Sequence, residues 1–292
     1  MGDEPLVLAY SPCPNDTFIF HAWVNGLSPE APAVTTVLAD IDVLNSLALA
    51  GKADVVKLSA YAFAFVQDRY AILHSGAALG QGCGPLVVTS KTSSLRPAPS
   101  PTRVSALAHE LAQARVAIPG ELTTAALLAG LLTGGLRRPV VMPFERIMSA
   151  CAAGEVDAGV IIHEGRFTYG RYGLRRLVDL GEWWEATTEL PLPLGVIAVA
   201  RSLSQGVQER VERALQASVK KARSLPENAM GYVLEHAKEL EPEVCKAHIE
   251  LYVNDFTEDL GDEGEKALRH MLDLAADCGL APRLRMSLFW DR

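Results

Sequence analysis

The chain of 292 residues has only five cysteines, Cys13, Cys83, Cys151, Cys245 and Cys278, an odd, scattered set with no CxxC pair. That argues against a disulfide framework and against a structural zinc site. No run of about 18 apolar residues is free of charged or turn-forming residues, so no transmembrane helix and no membrane partner are expected. The opening MGDEPLVLAYSP lacks the basic stretch, long apolar run and A-x-A site of a secretion signal, and the chain is expected to work in the cytoplasm. Basic residues are also short: 27 Lys and Arg stand against 35 Asp and Glu, a formal net charge of −8. With no basic stripe either, nucleic acid is not an expected partner. An anionic small substrate stays admissible, because the field inside a cleft can oppose the net charge. GxGxxG, Walker, GxSxG and HExxH patterns are all missing, so no cofactor and no metal are expected.

Apolar material, by contrast, is ample. Hydrophobic residues make up 49% and charged residues 21%, the balance of a globular chain. The length suits two domains of about 100–200 residues each. Short apolar runs read as strands at Leu6–Tyr10, Thr35–Ala39, Val55–Leu58, Ala71–Ser75, Leu86–Thr89, Val116–Ile118, Val140–Met142, Gly159–Ile162 and Val196–Ala200. Helical spacing falls between them at Thr17–Val24, Ile41–Ala50, Ala60–Gln67, Ser105–Ala114, Thr123–Leu132 and Glu145–Ala153. Alternating strands and helices imply an α/β fold with largely parallel strands. Beyond about residue 205 the pattern is amphipathic helix alone, a cover for a sheet.

Two strands of similar character, Gly84–Thr89 and Leu194–Ala200, bracket a complete α/β set. The expected architecture is therefore a two-lobed, periplasmic-binding-protein-like (type II) α/β fold. It has an interlobe cleft and a hinge of two crossing strands. Residues 1–89 plus 196–292 form the first lobe, and 90–195 form the inserted second lobe. The Pro/Ser-rich stretch 92–103 reads as a mobile surface loop beside the first crossing.

Ligands of open α/β sheets gather beyond the carboxyl ends of strands, and four polar clusters fall there. In SPCPNDTF, two prolines stiffen the turn, and Asn15, Asp16 or Thr17 can cap the next helix or meet a ligand. Lys57-Leu58-Ser59 ends the third strand. Thr123 and Thr124 open an apolar helix whose N–H groups and positive dipole end suit a carboxylate, although threonine caps many helices that hold no ligand. His163 follows the strand Gly159–Ile162 and suits a general base, since an unperturbed imidazole titrates near neutrality. His109, His236, His248 and His270 fall on helical patterns with no chemical partner in view, and His21 and His74 lack one too. Cys13 and Cys83 have no evident histidine to activate them.

The blocks SPCPNDTFIFHAW, KLSAYAFA, GCGPLVV, IPGELTTAALL, IIHEGRFTYG and DLGEWWEATTELPLPLG, in that order, resemble the 1,4-dihydroxy-6-naphthoate synthase family of the futalosine route to menaquinone. The resemblance implies a lyase that converts cyclic dehypoxanthine futalosine to 1,4-dihydroxy-6-naphthoate and releases dihydroxyacetone. It implies His163 as the catalytic base in the interlobe cleft, with Lys57, Leu58, Ser59, Thr123 and Thr124 at the substrate. It implies no cofactor. Asn15 joins the substrate-binding set from the residue reading. The expected partner is a small anionic aromatic substrate, and a homodimer stays open. Two alternatives remain at this level. One is a solute-binding or sensor protein on the same scaffold, and the other is the chorismate-dehydratase-like sister enzyme.

Overall fold

The computed structural model describes residues 4–28, 31–238 and 241–291. From the N-terminus come β1 (Leu6–Tyr10), α1 (Pro14–Val24), β2 (Val34–Leu38), α2 (Ile41–Leu49), β3 (Val55–Ser59), β4 (Tyr70–Ile72) and β5 (Ala78–Gly80). Next are β6 (Leu86–Ser90), α3 (Ser105–Gln113), β7 (Arg115–Ile118), α4 (Thr124–Thr133), β8 (Arg138–Val141) and α5 (Phe144–Ala153). Then follow β9 (Ala158–Ile161), α6 (Gly165–Thr168), β10 (Leu174–Asp179), α7 (Leu180–Thr188) and β11 (Leu192–Ala200). The rest is helical: α8 (Gln205–Ser224), α9 (Glu227–His236), α10 (Pro242–Tyr252), α11 (Asp255–Glu258) and α12 (Gly261–Asp277).

The chain divides into two units, Met1–Leu79 with Pro193–Arg292, and Gly80–Leu192. The first division therefore falls ten residues before the expected 89/90 boundary. The reason is that β6 pairs with β9 and β10 and so belongs to the second unit's sheet.

In the first unit the sheet runs β2-β1-β3-β11-β4, with β5 on β11. Strands β1, β2 and β3 are parallel, whereas β11 is antiparallel to β3 and β4. The second unit's sheet runs β10-β6-β9-β7-β8, with β6 antiparallel to both neighbours. Both sheets are thus mixed, not largely parallel. An uninterrupted apolar run such as GVIAVA reports burial and carries no strand direction. The helical reading of Ala60–Gln67 also shrinks, to a single 3-10 turn at Ala62–Phe65.

The C-terminal helices cover the first sheet, as their spacing predicts. Val211, Leu215 and Val219 of α8 share a core with Leu8, Phe20 and Trp23. One buried hydroxyl joins α8 to α1: Ser218 Oγ donates to the Ile19 carbonyl at 2.6 Å and accepts the Trp23 N–H at 3.1 Å. In the second unit Leu86, Val88, Ala117, Ile147 and Ile161 form a separate core. The Pro/Ser-rich loop is tied down rather than loose. Arg175 Nη2 donates to the Ser93 and Leu95 carbonyls at 2.7 and 2.6 Å, and the Ala98 N–H bonds to Leu177. The Arg175 side chain also explains why β10 escapes a search for apolar runs: two arginines interrupt LRRLVD.

Candidate functional site

In the first unit, α1 begins at Pro14, three residues earlier than its apolar spacing suggests. Its N-cap residue is Cys13, and no side chain caps it. Proline fits this first position because it has no N–H to satisfy. Thr17 donates its hydroxyl back to the Cys13 carbonyl at 3.1 Å. Asn15 and Asp16, freed from capping, turn to other partners. Ser11 Oγ donates to Asp16 Oδ2 at 2.6 Å, and Asn15 Nδ2 donates to Asp16 Oδ1 at 2.9 Å.

Lys57 points from β3 to the same carboxylate, with Nζ 2.9 Å from Asp16 Oδ1 and both side chains almost fully buried. Among the described residues no acceptor meets Nζ in hydrogen-bond geometry. The ammonium therefore keeps directed donors for an incoming anion while Asp16 balances its charge. Gly195 on β11 makes the room: a Cβ there would lie 2.9 Å from Lys57 Cε. The Leu58 side chain is buried in β3, and its backbone is registered opposite Val196 of β11. Ser59 accepts Asn45 Nδ2 at 3.1 Å on its hydroxyl, and its N–H donates to Asn45 Oδ1 at 3.0 Å. That leaves the Ser59 hydroxyl proton to be given elsewhere.

The second unit carries the other candidates. Thr123 is the N-cap of α4: its hydroxyl donates to the Gly120 carbonyl at 2.8 Å and accepts the Ala126 N–H at 3.2 Å. Its proton is thus spent within the turn rather than offered to a ligand. Gly120, at φ 150°, takes a backbone conformation that side-chain-bearing residues avoid and so shapes the approach to the helix.

His163 follows β9 with φ 56°, one of two non-glycine residues with positive φ among those described. Such a backbone costs about 1–3 kcal/mol and persists only where its surroundings fix it. The Phe144 ring meets the imidazole edge-on, with centroids 4.9 Å apart. Three residues on, Arg166 anchors the chain: Nη1 donates to the Gly84 carbonyl at 2.6 Å and Nη2 to Asp179 Oδ2 at 2.8 Å. Gly84 and Gly181 permit this close packing, since a Cβ on Gly84 would lie 2.6 Å from Gly181 N. Burial, the largest influence, raises the Asp179 carboxyl above the usual carboxylate range against the opposing pull of Arg166. Burial likewise raises the Cys83 thiol and pushes the Cys151 thiol up to about 12, which disfavours the thiolate in both.

Two histidines differ from their sequence reading. His74 stacks on Phe289 at 4.3 Å and lies 3.1 Å from Asp291. His248, expected only to cover the sheet, is buried with Nε2 3.0 Å from Asn15 Oδ1. Ser11, Asp16, Asn45 and His248 thus join the candidate residues around Lys57; the sequence reading gives Asp16 as a cap or a ligand contact and His248 as cover, and does not single out Ser11 or Asn45. For Asn45 there was a signal: it is the polar residue on the buried face of α2, beside Leu44 and Ala48. Among the described residues, no group of three or more His, Cys, Asp or Glu side chains is placed to hold a metal. Nor is any helix there long and apolar enough to cross a membrane.

The fold matches that of a Candida albicans gene product, CA3427, described as exhibiting the generic periplasmic binding protein structural fold. The TM-score is 0.67 at 14% identity over 94% of this chain and 90% of that one. The protein is therefore an α/β protein of the periplasmic-binding-protein fold, a class that by itself leaves the chemistry open. The menaquinone biosynthesis family model matches residues 6–277, and the chain belongs to that family. It is similar to the "1,4-dihydroxy-6-naphtoate synthase" of Streptomyces coelicolor, 46% identical over 289 residues and 97% of each chain. It is equally similar to the protein of that name from Thermus thermophilus, 46% identical over 286 residues, covering 98% of this chain and 99% of that one.

Proposed function

We propose that the protein is a cytoplasmic carbon–carbon lyase that converts cyclic dehypoxanthine futalosine to 1,4-dihydroxy-6-naphthoate with release of dihydroxyacetone. The observation that carries this reading is the 46% identity, over 97% of both chains, to a protein named for that product. The residues are chemically suited to the task. The substrate carries an aromatic carboxylate, and the buried Lys57 ammonium, the Ser59 hydroxyl and the first N–H groups of α4, which begin at Thr124 after the Thr123 cap, offer donors to an anion. Asn15 and Leu58 complete the proposed set.

In this reading His163 takes the proton whose loss triggers carbon–carbon cleavage, and aromatisation of the remaining rings draws the reaction forward. The donors named above stabilise the oxygen on which charge develops. A base must be held in one orientation to act, and the fixed backbone and edge-on Phe144 ring of His163 suit it to that role. The cytoplasmic setting agrees with five free cysteines, four of them buried.

The test is incubation of the purified protein with cyclic dehypoxanthine futalosine and mass analysis of the products. Equal amounts of the naphthoate and dihydroxyacetone are expected. Unchanged substrate, or a product that keeps all the carbon, would overturn the assignment.

A further inference from the structure

Asp16 is 1% exposed, and a buried carboxylate survives only when paired and hydrogen-bonded. Ser11 holds one oxygen, while Asn15 and the Lys57 ammonium share the other. The network reaches further. Asn15 turns its amide nitrogen to a carboxylate, which only accepts, so its Oδ1 faces His248 Nε2. An amide oxygen has no proton to give. His248 therefore carries a proton on Nε2 and donates it.

We infer that Asp16 and His248 are positioning residues that together fix the Lys57 ammonium. Lys57 is placed by the charge of Asp16 rather than by a directed hydrogen bond, so the orientation of that carboxylate sets where the cation sits. Ser11 and Asn15 prevent the carboxylate from turning, and His248 prevents the Asn15 amide from flipping. A flipped amide would aim its oxygen at Asp16 Oδ1, and the carboxylate would swing away. The C-terminal helix α10 thereby acts on a strand of the sheet it covers, through a contact between residues 233 apart in sequence. The kinetic consequence rests on the reading of Lys57 as a substrate contact, whereas the placement of the ammonium does not.

The experiment uses the whole protein labelled with [15N]lysine, with the Lys57 ammonium signal assigned by its loss in Lys57→Met. The signal is expected to shift or vanish in Asp16→Asn and in His248→Leu. It should return close to its wild-type position in His248→Gln, which keeps an N–H donor. Ser11→Ala removes a single donor and serves in the same way if Asp16→Asn does not fold. With cyclic dehypoxanthine futalosine, KM should rise about 10–100-fold in Asp16→Asn and about 2–10-fold in His248→Leu, with kcat little changed. An unmoved Lys57 signal in folded His248→Leu and folded Asp16→Asn, or Ser11→Ala in its place, overturns the inference. So does a His248→Gln protein that behaves like His248→Leu, because packing rather than the donor would then matter. A wild-type protein that leaves the substrate unchanged removes the proposed function, and the ammonium signal then decides the positioning alone.

Discussion

Arg166 and Asp179 form a buried ion pair, Nη2 to Oδ2 at 2.8 Å, with the aspartate side chain fully enclosed. The same carboxylate caps α7 through the Gly181 and Glu182 N–H groups, and the same guanidinium holds the Gly84 carbonyl. This pair therefore ties the turn after His163 to two other segments of its unit.

Removing the guanidinium strands a buried carboxylate, and Arg166→Leu should cost about 3–5 kcal/mol of stability. The pH dependence has a definite sign. Burial raises the Asp179 carboxyl in the folded state, so the folded protein holds that proton more tightly than the unfolded chain does. Lowering the pH thus favours folding through this group. The loss in Arg166→Leu should shrink from pH 8 to pH 5, read as the gap in Tm from wild type at each pH. A gap that widens on acidification would refute this assignment.

The two threonines should separate. The Thr123 hydroxyl is committed to the α4 cap, so Thr123→Ala should cost about 1 kcal/mol of stability. Adding Thr124→Ala should raise KM more than it lowers kcat, because the contact serves ground and transition states alike. A fall in kcat with unchanged KM in the double variant would contradict the anchoring role.

Gly195 is needed for its lack of a side chain, since a Cβ would press on Lys57 Cε at 2.9 Å and on the Leu58 carbonyl at 3.0 Å. Gly195→Ala should raise KM by displacing the ammonium while the protein stays folded. A crystal structure of that variant with Lys57 Nζ still beside Asp16, and kinetics unchanged, would refute the argument.

Thiol chemistry gives an independent check on the fold. Cys278 is exposed and the other four cysteines are buried. An aromatic disulfide reagent at pH 8 should find one fast thiol in the native protein and five in denaturant. Two or more fast thiols would mean a looser packing than described.

The places of the candidate residues were legible because they stand where strands end. His163, Lys57-Leu58-Ser59 and Thr123-Thr124 each follow an apolar run, and the structure puts each at or just beyond a strand or at a helix start. Strand direction was not legible: β6 and β11 are apolar runs like their parallel neighbours, and only the path of the chain makes them antiparallel. The partners of the site residues were hidden for a related reason. His248 lies on an amphipathic helix whose buried face reads as core, and nothing local marks a contact to Asn15 across 233 residues. Asp16 looked like a cap because aspartate favours helix starts, yet the helix began earlier, at Pro14.

The role proposed for His163 is that of the base in substrate cleavage. It is tested most directly by single-turnover experiments on wild-type protein and His163→Asn with cyclic dehypoxanthine futalosine, alongside direct measurement of substrate binding. Asparagine keeps some hydrogen bonding but cannot accept the proton. Wild type is expected to release the naphthoate, while His163→Asn binds substrate within a few-fold of wild type and turns over about 10²–10⁴-fold more slowly. A well-folded His163→Asn protein that keeps most of the activity, or a wild type that binds the substrate and releases it unchanged, would contradict it.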